Sequence, residues 1–398
     1  MTCFRQQMTN VKQKTGIGSN HTLPDFYCRI FPFAILSRIC FIKILLIIPA
    51  FYARLLYKSI NIRKLTIRRV EITMKIAILH TDEDRLQKPV TPEQLCAMCE
   101  TAFQGRIVTA IQEIAGGFFN NTFVVYADEE KFILRVSPHR DIHMSLYEQA
   151  LMRREYNIQP YFMPMGNLFP QTVFADFTHR ICERDYVVQT FLEGVNWEGI
   201  KDKLSQEENS RIWYEIGCIA KQISSVTSDL FGPPNPAKQF PTWSGYLLAY
   251  LSGMRTDMAE MGYAYPQVDR FIDLLGNHTA ILDSIGKPRL VHGDLWEKNI
   301  LIIKENGRWR ISGILDSERA YWGDEISEWI HTFINVYPSY WEGYGELFCS
   351  ENRELRRLLY RGADHVMAAT ECRLRDNNDP SWAIKNLQGI IEELPVHS

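Results

Sequence analysis

The sequence predicts an α+β chain of two lobes, a small β-rich first lobe and a larger, mostly α second one, on three observations. Short strand-like runs dominate the chain up to about residue 191, helical patterns dominate the rest, and a single polar motif near residue 300 interrupts the helices. The length, 398 residues, accommodates two or three units at roughly 150 residues each.

The elements follow in order. Thr91–Phe103 reads as a helix: Thr91 can cap it, Pro92 suits its first turn, and Leu95, Met98 and Phe103 supply apolar positions. Two β-rich runs, Thr122–Tyr126 and Lys131–Val136, flank the polar turn Asp128–Glu130, with Gly116 and Gly117 just upstream. Residues 143–158 have helical spacing, with Glu148 and Glu155 on a common side. A further strand covers Asp185–Phe191 and stops at Glu193–Gly194. Long helical patterns occupy 206–226 and 266–284, separated by the Pro-rich connector GPPNPAKQFP, which reads as a surface loop. Residues 324–395 are mostly helical in pattern.

The net charge of -3 hides an asymmetry. Residues 1–73 hold twelve Lys or Arg against two Asp or Glu, leaving 32 basic and 45 acidic residues in the remainder. An acidic domain argues against nucleic acid as a partner, which requires clustered Lys and Arg. It suits a cationic substrate, and equally a merely soluble surface. The apolar run at 30–57 is interrupted by Arg38, Lys43, Pro49 and Arg54, so it falls short of the ~20 residues of a membrane span. Three readings of it stand: a poor membrane anchor with a basic flank, an interfacial amphipathic segment, or no part of the natural protein. The composition changes abruptly at Met74, and translation is expected to start there, with residues 1–73 an over-extended gene model. The nine cysteines are odd in number, and Cys96–Cys99 has no second pair. They read as free thiols of a reducing, cytoplasmic setting rather than a zinc site.

The motif is LVHGDLWEKNILIIKENGRWRISGILDSERAYWGD, beginning at Leu290. Apolar runs Asn299–Ile303 and Trp309–Leu315 flank Asn306–Gly307, a strong hairpin turn. The hairpin brings Asp294 and Asn299, before its first strand, to Asp316 at the end of its second. Two carboxylates and an amide gathered at one end call for a cationic partner or buried protons, and magnesium, which prefers such oxygen donors, is the natural partner. Phosphoryl transfer uses this set: a carboxylate to orient or receive the hydroxyl proton, and Asn and Asp to hold metal on phosphates. The spacing of His292, Asp294, Leu295 and Asn299 matches the protein-kinase pattern H-R-D-L-x-x-x-N.

With His-Gly-Asp in place of His-Arg-Asp, the chain resembles the aminoglycoside phosphotransferase and choline kinase-like family over residues 91–395. The HGDLW form is also similar to fructosamine kinases. The resemblance implies a bilobal protein-kinase-like fold, with 91–191 as a nucleotide-binding lobe and 192–398 as a catalytic and substrate-binding lobe. It implies ATP and magnesium as cofactors, Asp294 as catalytic base, and Asn299 and Asp316 as metal ligands. His292 is then structural, Glu318 lies near the metal, and Asp324 and Glu328 fix loops by capping helices. Gly116, Gly117 and Asn120 resemble a phosphate-covering turn. Arg135 stands where the family has Lys or Arg and would grip the α/β-phosphates. Its acidic partner is Glu155, with Glu148 as the alternative. The carbonyl of Thr190 and N–H of Leu192 would face adenine.

The function so implied is ATP-dependent phosphorylation of a hydroxyl on a small molecule. The alternatives are a catalytically silent kinase-fold binding protein or a protein kinase. The absence of Asp-Phe-Gly and Ala-Pro-Glu sequences weighs against the latter. Aminoglycosides, ketosamines, choline-like amines and other alcohols are all compatible acceptors. Trp341, Tyr344, Asp364 and Glu371 are candidates for binding them, or ordinary core and surface residues.

Overall fold

The computed structural model describes residues 26–29, 73–79 and 86–395, apart from 116, 118, 143, 335 and 377. The apolar run at 30–57 lies outside the described residues. No helix among the described residues is long and apolar enough to cross a membrane.

The first part of the chain builds a seven-stranded sheet in the order β1-β2-β3-β4-β5-β7-β6. Its strands are β1 (Phe26–Arg29), β2 (Thr73–Ala77), β3 (Val108–Glu113), β4 (Asn121–Ala127), β5 (Glu130–Val136), β6 (Thr172–Asp176) and β7 (Tyr186–Thr190). All neighbours pair antiparallel except β2 and β3. The sheet thus begins upstream of residue 91. Helix α1 (Pro92–Ala102) has the expected Thr91 cap, which forms a capping box with Gln94. It buries Leu95 and Met98 against Ile111, Phe123, Val125 and Leu134 of the sheet.

The helix expected over 143–158 starts later, as α2 (Leu151–Phe162). Ala150 has left-handed φ and ψ of 58° and 34°, and the preceding turns are held by distant partners. Leu146 N–H donates to Asp257 Oδ2 at 2.9 Å, and Arg154 Nη1 reaches back to the Tyr147 carbonyl at 2.7 Å. Glu148 therefore does not share a helical face with Glu155.

Residues 191–194 connect β7 to the short strand β8 (Val195–Asn196), which pairs with the predicted hairpin. The hairpin is β10 (Ile300–Glu305) and β11 (Arg308–Ile314), closed with Glu305 opposite Arg308. Asn306 and Gly307 take φ of 49° and 79°, the two positive values a tight hairpin turn needs. Ile300, Ile302 and Ile314 face a core shared with Ile212 and Ile216 of the helix Gln206–Ser225 (α3). A second small sheet joins β9 (Arg289–Val291) to β12 (Tyr321–Gly323).

The remaining helices are α4 (Trp243–Glu260), α5 (Pro266–Gly276), α6 (Thr279–Asp283), α7 (Trp329–Thr332), α8 (Pro338–Tyr344), α9 (Arg353–Asp376) and α10 (Ser381–Glu393). The pattern at 266–284 is thus two helices, α5 and α6, parted at Asn277–His278. The Pro-rich connector pairs Phe231 with Phe240. Trp243, Leu251, Phe271, Leu359 and Leu387 close a third core among these helices.

Candidate active site

The hairpin delivers its polar ends to one place. Leu315 N–H donates to the Asn299 carbonyl at 2.8 Å, which puts Asp316 beside Asn299. The Asn299 amide nitrogen donates to the Asp294 carboxylate at 2.8 Å and to the Asp294 carbonyl at 2.9 Å. Its Oδ1 is left as an acceptor. Asp316 adopts φ 61° and ψ 53°, and its side chain is about half exposed, at 47%. Burial pushes the Asp294 carboxyl up to about 6, a rise that Arg319 opposes and Asp316 adds to.

The loop carrying Asp294 is held from below. The Glu328 carboxylate accepts N–H groups from His292 at 2.7 Å, Gly293 at 3.0 Å and Leu295 at 3.3 Å. It also caps α7 through Trp329 N–H. Burial pushes Glu328 up to about 7 while these four donors pull it down. Gly293 has φ 78°, and a Cβ there would lie 2.6 Å from the Arg319 carbonyl, so the middle position of His-Gly-Asp has no room for a side chain. The His292 ring is fully buried against Phe162 and Phe169. Burial lowers its pKa to about 3, so it is a neutral part of the core. Asp324 caps the turn at 325–327 through Ile326 N–H. It also pairs with Arg356 and accepts from Tyr360 at 2.6 Å, all in the interior.

Arg135, from the centre of the seven-stranded sheet, meets this cluster. Its guanidinium bonds Glu155 at 2.5 Å, Glu318 at 3.1 Å and Asp316 at 3.3 Å. Burial works against the charge, yet the three carboxylates outweigh it and hold it above its ordinary value. Burial likewise pushes Glu318 up to about 7 against the pull of Arg135. Glu155 is the acid that meets Arg135. Glu148 instead accepts from Ser145 and Tyr147. Glu318 thus binds the cation directly, a contact its position two residues past Asp316 did not announce.

Gly116 and Phe118 lie outside the described residues. The carbonyls of Gly117 and Asn120 both accept from Gln87 Nε2, at 2.7 and 2.8 Å, so the turn is tied to the segment before α1. Thr190 ends β7, its hydroxyl accepting Gln171 N–H at 2.9 Å. Leu192 lies over Gly313 of β11. Of the acceptor-site candidates, Tyr344 is buried in the core and donates to Glu325 at 2.5 Å, and Trp341 stacks on His331. Asp364 lines a pocket beside the Asp294 loop, and Glu371 pairs with Arg319 at 2.8 Å.

Among the described residues no three His, Cys, Asp or Glu side chains form a self-sufficient metal cage. The donors offered, Asn299 Oδ1 and the Asp316 carboxylate, are few and all oxygen. That fits magnesium, which takes one or two protein ligands and completes its shell with water and phosphates.

A sheet-based lobe joined at 191–194 to a helical lobe, with an Arg–Glu pair facing an Asp–Asn–Asp cluster, defines a bilobal kinase-like phosphotransferase. Residues 110–359 match the phosphotransferase enzyme family, APH, and the chain belongs to that family. No curated protein matches the sequence. Solved structures share the fold at low identity. One is assigned as a fructosamine-3-kinase, from Haemophilus somnus 129PT (12% identity, TM-score 0.55, 75% of this chain and 96% of that one). Another is a thermostable mutant of aminoglycoside phosphotransferase APH(4)-Ia in a ternary complex with ADP and hygromycin B (16%, 0.55, 77% and 100%). A third is the GDP and kanamycin complex of APH(2")-IIIa (15%, 0.53, 75% and 98%).

Proposed function

We propose that the protein transfers the γ-phosphoryl group of ATP to a hydroxyl of a small molecule, with magnesium. The observation that carries this reading is the convergence of Asp294, Asn299 and Asp316 at the ends of one hairpin, facing Arg135. Asp294 orients the acceptor hydroxyl and takes up its proton. Its partial burial and its bond from Asn299 fix the carboxylate for that task. Asn299 Oδ1 and Asp316 would hold magnesium, which when bound neutralises charge on the phosphates. Arg135, braced by Glu155, steers the α/β-phosphates, and the segment bearing Gly117 and Asn120 covers them. Thr190 and Leu192 offer backbone groups to the base. A silent binding protein would have no need of all three polar groups at the hairpin ends.

The test is acceptor-stimulated or basal ATP turnover with and without magnesium, in the wild type and in Asp294→Ala. A general base contributes about 10²–10⁴-fold, so Asp294→Ala should lose turnover by that factor and keep Mg-ATP binding. Wild-type protein that binds no Mg-ATP would sink the reading.

A further inference from the structure

The pocket beside the Asp294 loop has an unusual wall. Gly293 and Arg319 form its edge toward the catalytic loop, and Tyr147, Tyr246 and Tyr250 line it together with Arg154 and Asp364. The three tyrosine rings pack on one another, at 5.4 Å for Tyr147–Tyr250 and 5.7 Å for Tyr246–Tyr250. Aromatic rings alone would favour a cation. The two guanidiniums reverse that sign.

Their charges are not equally balanced. Arg319 bonds Glu371 at 2.8 Å and has Glu148 at 3.8 Å. Arg154 makes no ion pair with any described carboxylate. Its Nη1 donates to the Tyr147 carbonyl at 2.7 Å, and its Nε is sealed from solvent with no partner. The residue is half-buried and lines the pocket. Burial holds the Arg154 guanidinium below its ordinary value, as expected of a desolvated cation lacking a counter-ion. Glu318, the carboxylate whose charge reaches Arg154, is bonded to Arg135. Asp364 also faces the pocket with an unpartnered Oδ2. Burial pushes it up to about 8, so at neutral pH it presents a neutral carboxyl rather than a counter-charge.

We propose that this pocket receives an anionic group, a carboxylate or a phosphate, of the acceptor alcohol, with Arg154 as its counter-ion. The inference rests on the phosphotransferase reading for the word acceptor, but not for the binding of the anion. The space open to water in this pocket is about 60 Å³, room for a handful of waters at ~10–15 Å³ each. A small charged head fits there. The same head would set a neighbouring hydroxyl toward Asp294, because Gly293 forms the pocket edge.

The experiment is calorimetric titration of full-length protein in the presence of magnesium and a non-hydrolysable ATP analogue. The probes are glycerate against glycerol, gluconate and glucose 6-phosphate against glucose, and kanamycin as a polycation. In the wild type the anionic member of a pair should bind roughly tenfold or more tightly than its neutral partner, the equivalent of one charge-assisted contact. Whether gluconate or glucose 6-phosphate leads tells carboxylate from phosphate. In Arg154→Gln the preference between partners should collapse, while Arg154→Lys retains part of it. No anionic preference in the wild type, kanamycin binding more tightly than every anion, or a preference that survives Arg154→Gln would each overturn the proposal. The wild-type arm stands even if a variant fails to fold. Binding of the ATP analogue, titrated separately, reports on the phosphotransferase reading by itself.

Discussion

Removing Arg135 tests how the two lobes are joined at the site. Arg135→Ala takes away the cation bonded to Glu155 and Glu318, whose side chains are only 6% and 8% exposed. Truncating one partner of a buried pair costs about 3–5 kcal/mol, because the other charge is left without compensation. Two buried carboxylates would be stranded here, which argues for the upper part of that range. Glu318 moderates it, since burial already pushes its carboxyl up to about 7 and a bound proton relieves its share. Asp316 is half exposed and adds little. At roughly 2 °C per kcal/mol for a domain of this size, Tm should fall by about 6–10 °C. Thermal unfolding followed by circular dichroism measures this for Arg135→Ala, Glu155→Gln and the double variant. Glu155→Gln alone should be milder, because Arg135 keeps Glu318 and Asp316. The double variant should be less destabilised than the sum of the singles by about 1–3 kcal/mol, the coupling of groups in one network. An Arg135→Ala protein melting within about 1 °C of wild type, or strict additivity against the range just cited, would refute the reasoning.

Three further outcomes follow from the loop and the pocket. Glu328→Gln turns an amide NH₂ toward backbone N–H donors, at a cost of about 1.5–3 kcal/mol per charge-assisted bond lost; turnover should fall while ATP affinity stays, read from kcat against KM. Gly293→Ala combines a positive φ with a Cβ 2.6 Å from the Arg319 carbonyl, so chemical denaturation should register a loss above about 1 kcal/mol. Asp364 has a folded pKa of about 8, above its unfolded value. Between about pH 4 and pH 8 the folded chain then keeps a proton that the unfolded chain has released. Stability therefore falls as pH rises, by up to about 1.4 kcal/mol per unit. Asp364→Asn should flatten that slope in urea titrations at pH 5 and pH 8; an unchanged slope would exclude Asp364 as its source.

What the sequence disclosed depended on how local the physics was. The hairpin was legible because Asn306–Gly307 is chemically committed to positive φ, and the first helix because Thr91 and Pro92 mark its start. Arg135–Glu155 was reachable only through resemblance, since nothing in residues twenty apart announces an ion pair. The start of α2 was misplaced because Ala150 and the turns before it answer to Asp257 and to Arg154 through tertiary contacts. Helix α4 left little periodic trace because its buried face mixes Trp243, Leu247, Leu251 and Met258 with Ser244, Tyr246 and Asp257, so the inward stripe is not uniformly apolar. The resemblance implies that Glu328 fixes a loop by capping a helix, but which loop it holds was hidden because backbone N–H groups leave no mark in a sequence. Tyr344 and Trp341 illustrate the converse, chemically suggestive residues that the fold consumes as core.

Asp316 sits in the left-handed basin, φ 61° and ψ 53°, which costs a residue bearing a Cβ roughly 1–2 kcal/mol and a glycine almost nothing. At this position heat resistance and chemistry pull in opposite directions. A laboratory selection for thermostability alone should therefore accumulate Asp316→Gly, giving a sturdier protein without the carboxylate proposed to hold magnesium. Any attempt to harden this enzyme for use has to hold position 316 fixed and look for its gains away from the hairpin ends.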